Sequence, residues 1–166
     1  MNVKALSTRF TVRVLSKDDI STVLILCKGN PLYYQFCPPA VSVDSIKSDM
    51  IALPPNKTID DKYFIGFYLE DELIAVMDLI SKWPNDETAF IGFFMMNTNS
   101  QGSGIGTSII SECVQYLKSI QFRYIKLGYV KENYQAKSFW QKNGFKPTGK
   151  ETQQENYTVV AMEREL

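Results

Sequence analysis

A glycine-rich turn between two apolar segments has the clearest chemical meaning in this sequence. The turn spans residues 97–108, NTNSQGSGIGTS, and has glycine at positions 102, 104 and 106. An apolar run at residues 89–96 precedes it, and apolar residues at helical spacing follow it. This order predicts a strand, a turn whose backbone is uncovered by Cβ atoms, and a helix. Because such a helix points free N–H groups and its positive dipole end at the turn, the pattern predicts a phosphate site.

The spacing within the turn excludes two common nucleotide motifs. A P-loop needs a lysine before its Ser or Thr, but Gly106 precedes Thr107. A dinucleotide fingerprint needs glycine in its sixth place, which is Thr107 when Gly102 is the first. The pattern that fits is Gln-x-x-Gly-x-Gly at Gln101, Gly104 and Gly106. It resembles the acyl-CoA pyrophosphate loop of the GNAT N-acetyltransferase family; the alternative is a turn that binds nothing.

A second stretch, residues 132–145, strengthens this resemblance. It contains Asn133 and Ala136 in an Asn-x-x-Ala pattern, an aromatic pair at positions 139 and 140, and Gly-Phe at positions 144 and 145. The family's second motif has this order and this distance from the glycine loop. The resemblance is specific in the C-terminal half of the chain, whereas in the N-terminal half it depends on the order of elements.

The resemblance implies acetyl-CoA as the cofactor and indicates which residues contact it. In the family, the strand before the loop has a bulge near its end and parts there from its parallel neighbour, and the pantetheine arm lies in the gap. A backbone N–H near Met96 would then polarise the thioester carbonyl. A buried strand without this role is equally compatible with the apolar residues there. The predicted cofactor-binding residues are Phe94, Met95, Met96, Gln101, Gly102, Ser103, Gly104, Ile105, Gly106, Thr107, Asn133, Ala136 and Trp140.

Asn133 has two interpretations. Asparagine is a preferred helix N-cap, which is a purely structural role. The family asparagine also forms a hydrogen bond with the pantetheine amide. The two roles are compatible with each other.

The residues that usually move protons in the family are absent. The chain has no histidine, which excludes an imidazole base and the Ser-His and Cys-His dyads. Many family members use a tyrosine as the acid in the second place of the aromatic pair, which is Trp140 here, and an indole cannot supply a proton. The glutamate base of histone-modifying members corresponds to Phe90.

Other residues are therefore candidate catalysts. Asp78 lies on an apolar strand, where a carboxyl group would have a raised pKa suited to a base, although a strand-end aspartate in a hydrogen bond or in water is the simpler explanation. Tyr134 and Tyr129 are candidate acids near the second motif, and Tyr134 is the first choice. Both assignments assume that the side chains point into the cleft. Catalysis by proximity, with water as the base, is the alternative.

The remaining segments predict one domain over residues 1–166, with elements in the order β-α-α-β-β-β-α-β-α-β and a further short strand at residues 145–148. This is the GNAT order, and it implies an α/β fold. Its mixed sheet is mostly antiparallel, with one splayed parallel pair and helices on both faces. Residues 30–39 are expected to form an aromatic-rich loop. There Tyr33 and Tyr34 either cover the core edge or line an acceptor pocket.

Composition limits the partners. Lys+Arg 18 and Asp+Glu 18 give a net charge of +0, which gives no sign of a nucleic-acid surface. No apolar run reaches the ~20 residues of a membrane span, and the N-terminus has no signal-peptide core, so we expect no membrane association and a cytoplasmic location. Cys27, Cys37 and Cys113 lack metal-ligand spacing, so no metal site is expected.

These features together predict an acetyl-CoA-dependent N-acetyltransferase that acts on a primary amine of a small molecule or a peptide. A homodimer is compatible with the sequence. An acyl acceptor other than nitrogen on the same scaffold is the runner-up among enzymes. The alternative outside the enzymes is a non-catalytic acyl-CoA-binding module, which Trp140 and Phe90 favour.

Overall fold

A seven-stranded mixed sheet organises the chain, and the computed structural model describes all of residues 1–166. The strands are β1 (Thr11–Val14), β2 (Lys62–Leu69), β3 (Glu72–Ile80), β4 (Thr88–Met96), β5 (Tyr124–Val130), β6 (Lys146–Gln153) and β7 (Thr158–Glu165). The helices are α1 (Ile20–Lys28), α2 (Pro31–Phe36), α3 (Val43–Ile51), α4 (Ile105–Ser119) and α5 (Tyr134–Lys142). The spatial order is β1-β2-β3-β4-β5-β7-β6, and only β4 and β5 are parallel. This confirms the predicted mixed, mostly antiparallel sheet.

Helices cover both faces of the sheet. One apolar cluster includes side chains of α4 and α5, and a second includes side chains of α1 and α3. Met77 belongs to the first cluster and its neighbour Val76 to the second, as expected when successive side chains of a strand point to opposite faces. None of the helices is both long and apolar enough to cross a bilayer.

The parallel pair opens halfway along its length. Ladder pairing joins β4 and β5 from Thr88 to Ile91 and stops there. On the other side of β4, the pairing with β3 shifts register, because Asp78 is opposite Phe93 while Leu79 is opposite Ile91. Gly92 is therefore an extra, bulged residue, and a bulge bends its strand. The last residues of β4 lie beyond this bend, with a gap between them and β5.

Two expectations about local structure were wrong. The segment expected to be a loop contains the helix α2, which begins at Pro31; proline suits the first turn of a helix, where its missing N–H has no partner to lose. Strand β6 runs from Lys146 to Gln153 instead of ending at residue 148. The sequence there is polar because every residue of β6 is exposed, so there is no alternation to detect.

Candidate active site

A cavity of about 440 Å³ lies where the α1–α2 connection, the end of β4, the turn before α4, and α5 meet. Most of the predicted cofactor-binding residues line it. Those that line it are Phe94, Met95, Met96, Gln101, Gly102, Gly104, Gly106, Thr107, Asn133, Ala136 and Trp140. Ser103 and Ile105 do not: the Ser103 hydroxyl donates to the Ser100 carbonyl, and Ile105 packs against the core.

The turn before α4 presents a row of unused backbone donors. None of the amide N–H groups of residues 102–107 donates a hydrogen bond within the protein, and α4 has no side-chain cap. Gly102 and Gly104 have φ of +73° and +85°, and a Cβ at either would meet no atom within 4 Å. Free N–H groups, open space and a helix N-terminus together fit a bound phosphate group.

Gly106 is needed for close packing. A Cβ there would lie 3.2 Å from the Phe139 ring and 3.5 Å from the sulfur of Met96. The absence of a side chain thus lets the first turn of α4 lie against both α5 and the end of β4. The glycine loop and the end of β4 consequently form walls of the same cavity.

The end of β4 points backbone polar groups into the gap. The Asn97 N–H donates to the Ile74 carbonyl over 2.8 Å, which makes Asn97 a hydrogen-bonded partner of β3. Antiparallel pairs alternate, so Met95 also bonds to β3, while Met96 and Phe94 direct their N–H and C=O groups away from it. Since β5 has parted from β4 here, the N–H groups of Phe94 and Met96 have no partner on that side and can contact a ligand, whereas the Met96 carbonyl accepts hydrogen bonds from the protein itself. This geometry fits the expected main-chain contacts of Phe94 and Met96.

Asn30 is a site residue that sequence reasoning missed. Its Nδ2 donates to the Met96 and Leu26 carbonyls at 3.0 Å each, and its Oδ1 accepts from Gln101 Nε2 at 2.8 Å. Gln101 also donates to the Met96 carbonyl over 3.3 Å. The two amides therefore tie the glycine loop to α1 and to the last residue of β4. In the sequence, the segment Gly29-Asn30-Pro31 indicates only the end of a helix, and nothing in it marks Asn30 as a site residue.

Asn133 performs its capping role and retains a free donor. Its Oδ1 accepts the Ala136 N–H over 2.9 Å, which confirms the predicted N-cap of α5. Its Nδ2 has no acceptor within the protein, although the residue is buried and lines the cavity. The side chain thus has a donor available for an amide carbonyl of a ligand.

Replacing Asn133 with serine separates these two roles. Serine caps helices about as well as asparagine, so thermal stability should change little. We expect acyl-CoA affinity to fall about tenfold, because one hydrogen bond to the ligand is lost. Calorimetric titration with CoA and a thermal melt measure the two quantities. Unchanged affinity would leave Asn133 with capping alone.

A second cavity, of about 240 Å³, adjoins the first. It lies where the two strands begin to part, between residues 90–94 of β4 and residues 127–130 of β5, whereas the first cavity lies at the end of β4. The two cavities share five lining residues, namely Tyr33, Phe94, Asn133, Ala136 and Trp140. A molecule in the first cavity can therefore meet a second molecule across these side chains.

Four titratable side chains line the second cavity: Tyr33, Cys37, Tyr157 and Tyr129, one of the candidate acids. Burial raises the pKa of Tyr129. Burial, with a contribution from Cys37, raises the pKa of Tyr33 well above its ordinary value. The neighbouring Cys37 thiol, followed by burial, raises the pKa of Tyr157 to about 12. The phenols of Tyr33 and Tyr157 are consequently protonated near neutral pH and can donate hydrogen bonds, although the raised pKa makes each a weaker acid than a free tyrosine.

Trp140 belongs to the hydrophobic core and also lines both cavities. Its ring packs edge-to-face on Phe139 and Phe145, at centroid distances of 5.0 and 5.1 Å, and the residue is buried. Phe90 lines the second cavity and packs edge-to-face on Trp83 at 4.6 Å. Neither position offers a titratable group, as the sequence indicated.

Asp78 and Tyr134 line neither cavity, contrary to the assumption that both point into the cleft. The Nζ of Lys62 lies 2.7 Å from both oxygens of Asp78, and this lysine side chain is 1% exposed. Burial raises the pKa of Asp78 and Lys62 opposes the shift. Tyr134 is 71% exposed on the first turn of α5. No contact in the structure supports their catalytic roles, which stay predictions.

Of the two predicted acceptor-binding tyrosines, Tyr33 lines both of these cavities and Tyr34 lines neither. Tyr34 lies against the core beside Cys27, and burial followed by this thiol raises its pKa. The two rings pack edge-to-face at 5.0 Å. In the structure Tyr34 thus supports Tyr33, and its role in binding an acceptor stays a prediction.

The sequence model of the Acetyltransferase (GNAT) family matches residues 32–145. This match covers well over half of the chain, so the protein belongs to the GNAT acetyltransferase family. A comparison with curated protein sequences found no match. Family membership supports acyl transfer in general and the binding of an acyl-CoA.

Solved structures share the fold at low sequence identity. An acetyltransferase from Thermus thermophilus has a TM-score of 0.76 and 17% identity, with 100% of both chains covered. The PaiA N-acetyltransferase from Thermoplasma acidophilum, solved in complex with coenzyme A, has a TM-score of 0.68 and 18% identity over 95% of this chain and 99% of that one. The ribosomal-protein-S18-alanine N-acetyltransferase from Escherichia coli has a TM-score of 0.66 and 11% identity over 94% and 93%. At these identities the likeness concerns the fold.

Proposed function

We propose that the protein is an N-acetyltransferase that moves the acetyl group of acetyl-CoA to a primary amine of a small molecule or a peptide. The main support is the junction of the two cavities. One cavity is lined by Gly102, Gly104, Gly106 and Thr107, whose N–H groups are free, and the other cavity shares five lining side chains with it. Such a pair of cavities can hold the acyl donor and the acceptor side by side. Holding two reactants next to each other in this way accelerates their reaction by proximity.

Each part of the first cavity has a separate task. The free N–H groups before α4 would bind the pyrophosphate, and Lys142, which also lines the cavity, adds a positive charge. The Asn133 amide would hold the pantetheine arm. When bound, acetyl-CoA supplies the acetyl group as a reactive thioester. The free N–H of Met96 would polarise the thioester carbonyl from a fixed position, which needs no reorganisation during the reaction.

Two protons must move at the junction. A primary amine has to lose a proton before it attacks, and water is the simplest base. The departing thiolate has an ordinary pKa near ~8.5 and is helped by a donor. Tyr33 lines both cavities and its phenol is protonated near neutral pH, so we propose that Tyr33 donates a hydrogen bond to the departing sulfur. Tyr134 remains the sequence-based alternative for the donor, and Asp78 remains the sequence-based candidate for the base.

Replacing Tyr33 with phenylalanine tests the donor directly. The ring stays and the proton is removed, so we expect kcat to fall at least about tenfold while CoA affinity holds. The matched variant Tyr134→Phe should keep normal turnover if Tyr33 is the donor. Asp78→Asn tests the base separately and should keep normal turnover if water is the base, provided that a thermal melt shows the variant folded, since it leaves the buried Lys62 unpaired. Steady-state rates with the same amine measure all three. A normal kcat in Tyr33→Phe together with a loss in Tyr134→Phe would reassign the donor role to Tyr134.

Release of free thiol from acetyl-CoA in the presence of an amine panel tests the proposed function. Mass spectrometry of the product then shows whether nitrogen was acetylated. We expect thiol release to depend on the amine and to match amide product mole for mole. CoA binding without thiol release for any acceptor would instead identify a non-catalytic acyl-CoA-binding module, and an ester product would identify an oxygen acceptor.

A further inference from the structure

The lining of the second cavity restricts the kind of molecule that the cavity can bind. No aspartate, glutamate, lysine or arginine lines it. Its walls are mainly aromatic and aliphatic, with rings contributed by α2, β4, β5 and α5. Asp78 lies against the lining residue Gly92, where a Cβ would be 2.7 Å from its Oδ2, but this carboxylate is already paired with Lys62. The cavity therefore has no unpaired charge to offer a ligand.

Charge on an acceptor would be costly in such a cavity. A buried charge needs a partner, and without one the group is bound weakly or as its neutral form. A diamine or polyamine would bring a second ammonium with no carboxylate to meet it. An amino acid would bring a carboxylate with no lysine or arginine to meet it. The polar side chains that are present are the phenols of Tyr33, Tyr129 and Tyr157, the Cys37 thiol and the Asn133 amide, and these uncharged groups suit a single neutral amine.

The shape of the cavity favours a small molecule over an extended peptide. Its volume of about 240 Å³ lies below the ~300–1,000 Å³ of pockets that hold drug-sized ligands. Cys37 follows α2, and Tyr157 precedes β7, yet the two side chains are neighbours. These two segments therefore meet at the wall of the cavity, which leaves less room there for an extended chain.

On the basis of the proposed N-acetyl transfer, we infer that the acceptor is a small monoamine with an uncharged, ring-sized apolar body and no carboxylate. The ring would lie among the aromatic walls between β4 and β5. The amine would point toward the five side chains shared with the first cavity.

Three probes that differ in charge test this inference: 2-phenylethylamine, putrescine and L-phenylalanine. Their binding to the CoA-loaded protein is measured by saturation-transfer NMR and titration, without turnover. We expect 2-phenylethylamine to bind at least about tenfold more tightly than the other two. Equal or tighter binding of putrescine or L-phenylalanine, or no binding of 2-phenylethylamine, would overturn the inference.

A charge-introducing variant sharpens the test. Tyr157→Glu places a carboxylate at the cavity wall, so the preference for 2-phenylethylamine over putrescine should narrow at least about fivefold. Ile51→Glu adds the same charge at a residue that is 68% exposed and lines neither cavity, so its preference should match that of the unmodified protein. An unchanged preference in folded Tyr157→Glu would contradict the assignment of the cavity. If that variant does not fold, the three probes on the unmodified protein decide the matter.

Thiol release with the same probes separates this inference from the proposed function. Selective binding of 2-phenylethylamine without thiol release would support the specificity and refute acetyl transfer to it. Acetylation of putrescine without binding of 2-phenylethylamine would refute the specificity and support acetyl transfer. Selective binding together with amide formation would support both.

Discussion

Replacing Gly104 with aspartate should weaken CoA binding about a hundredfold or more. The residue is the N-cap of α4, and a Cβ there would point into open space in front of the free N–H groups. A carboxylate in that space would oppose the phosphates, and two like charges ~4 Å apart near a protein surface repel by about 4 kcal/mol. Isothermal titration with CoA measures the loss.

Two control variants isolate the charge at this position. Gly104→Asn has the same shape without the charge, and asparagine tolerates a left-handed φ nearly as well as aspartate does. It should retain most of the affinity. Gly149 has φ of +83° and open space around it, like Gly104, but it lies on β6 and lines neither cavity. Gly149→Asp therefore controls for backbone strain, and full affinity in Gly104→Asp would refute the assignment of the loop.

Replacing Lys62 with methionine should destabilise the protein by about 3 kcal/mol at neutral pH. Both partners of the Lys62–Asp78 pair are largely buried, with side chains 1% and 14% exposed. Removal of one partner leaves the other charge buried and unpaired, which typically costs about 3–5 kcal/mol. Urea unfolding at pH 7.5 measures the loss. A change below about 0.5 kcal/mol would show that the pair contributes little to stability.

The loss of stability in Lys62→Met should shrink as the pH is lowered. Burial raises the pKa of Asp78 in the folded protein, and removing Lys62 takes away the group that lowers it. The folded variant then binds a proton more tightly than its unfolded chain, so its stability falls as pH rises from about 4 toward the raised pKa. Unfolding at pH 5 should therefore show a smaller deficit than at pH 7.5. As a control, Lys131→Met removes one partner of the exposed Lys131–Glu151 pair and should leave the free energy of unfolding unchanged at both pH values.

The sequence predicted the parts of the site that depend on neighbours in the chain. The free N–H groups of the glycine loop follow from glycine positions and the helix start. The Asn133 cap follows from a contact three residues away. The splayed pair of β4 and β5 was expected from the family resemblance rather than from the residues themselves. Its physical cause, the bulge at Gly92, is visible only in the register with β3.

Residues that act across the fold were not predictable in the same way. Asn30 reaches Gln101 across 71 positions of sequence, and nothing local to either marks the contact. Asp78 looked like a base because its strand is apolar, but Lys62, 16 positions earlier, occupies both carboxylate oxygens. The role of Tyr33 at the junction of two cavities depends on α2, which the sequence suggested was a loop.

A titration of ¹⁵N-labelled protein with acetyl-CoA, followed by NMR of the backbone amides, tests the proposed binding site most directly. The central claim is that one ligand spans the turn before α4 and the gap beside β4. It predicts that the amides of residues 102–107 and the amides of Phe94 and Met96 shift together and saturate at the same ligand concentration. A ligand that shifts neither group, or only one of them at saturation, would contradict the claim.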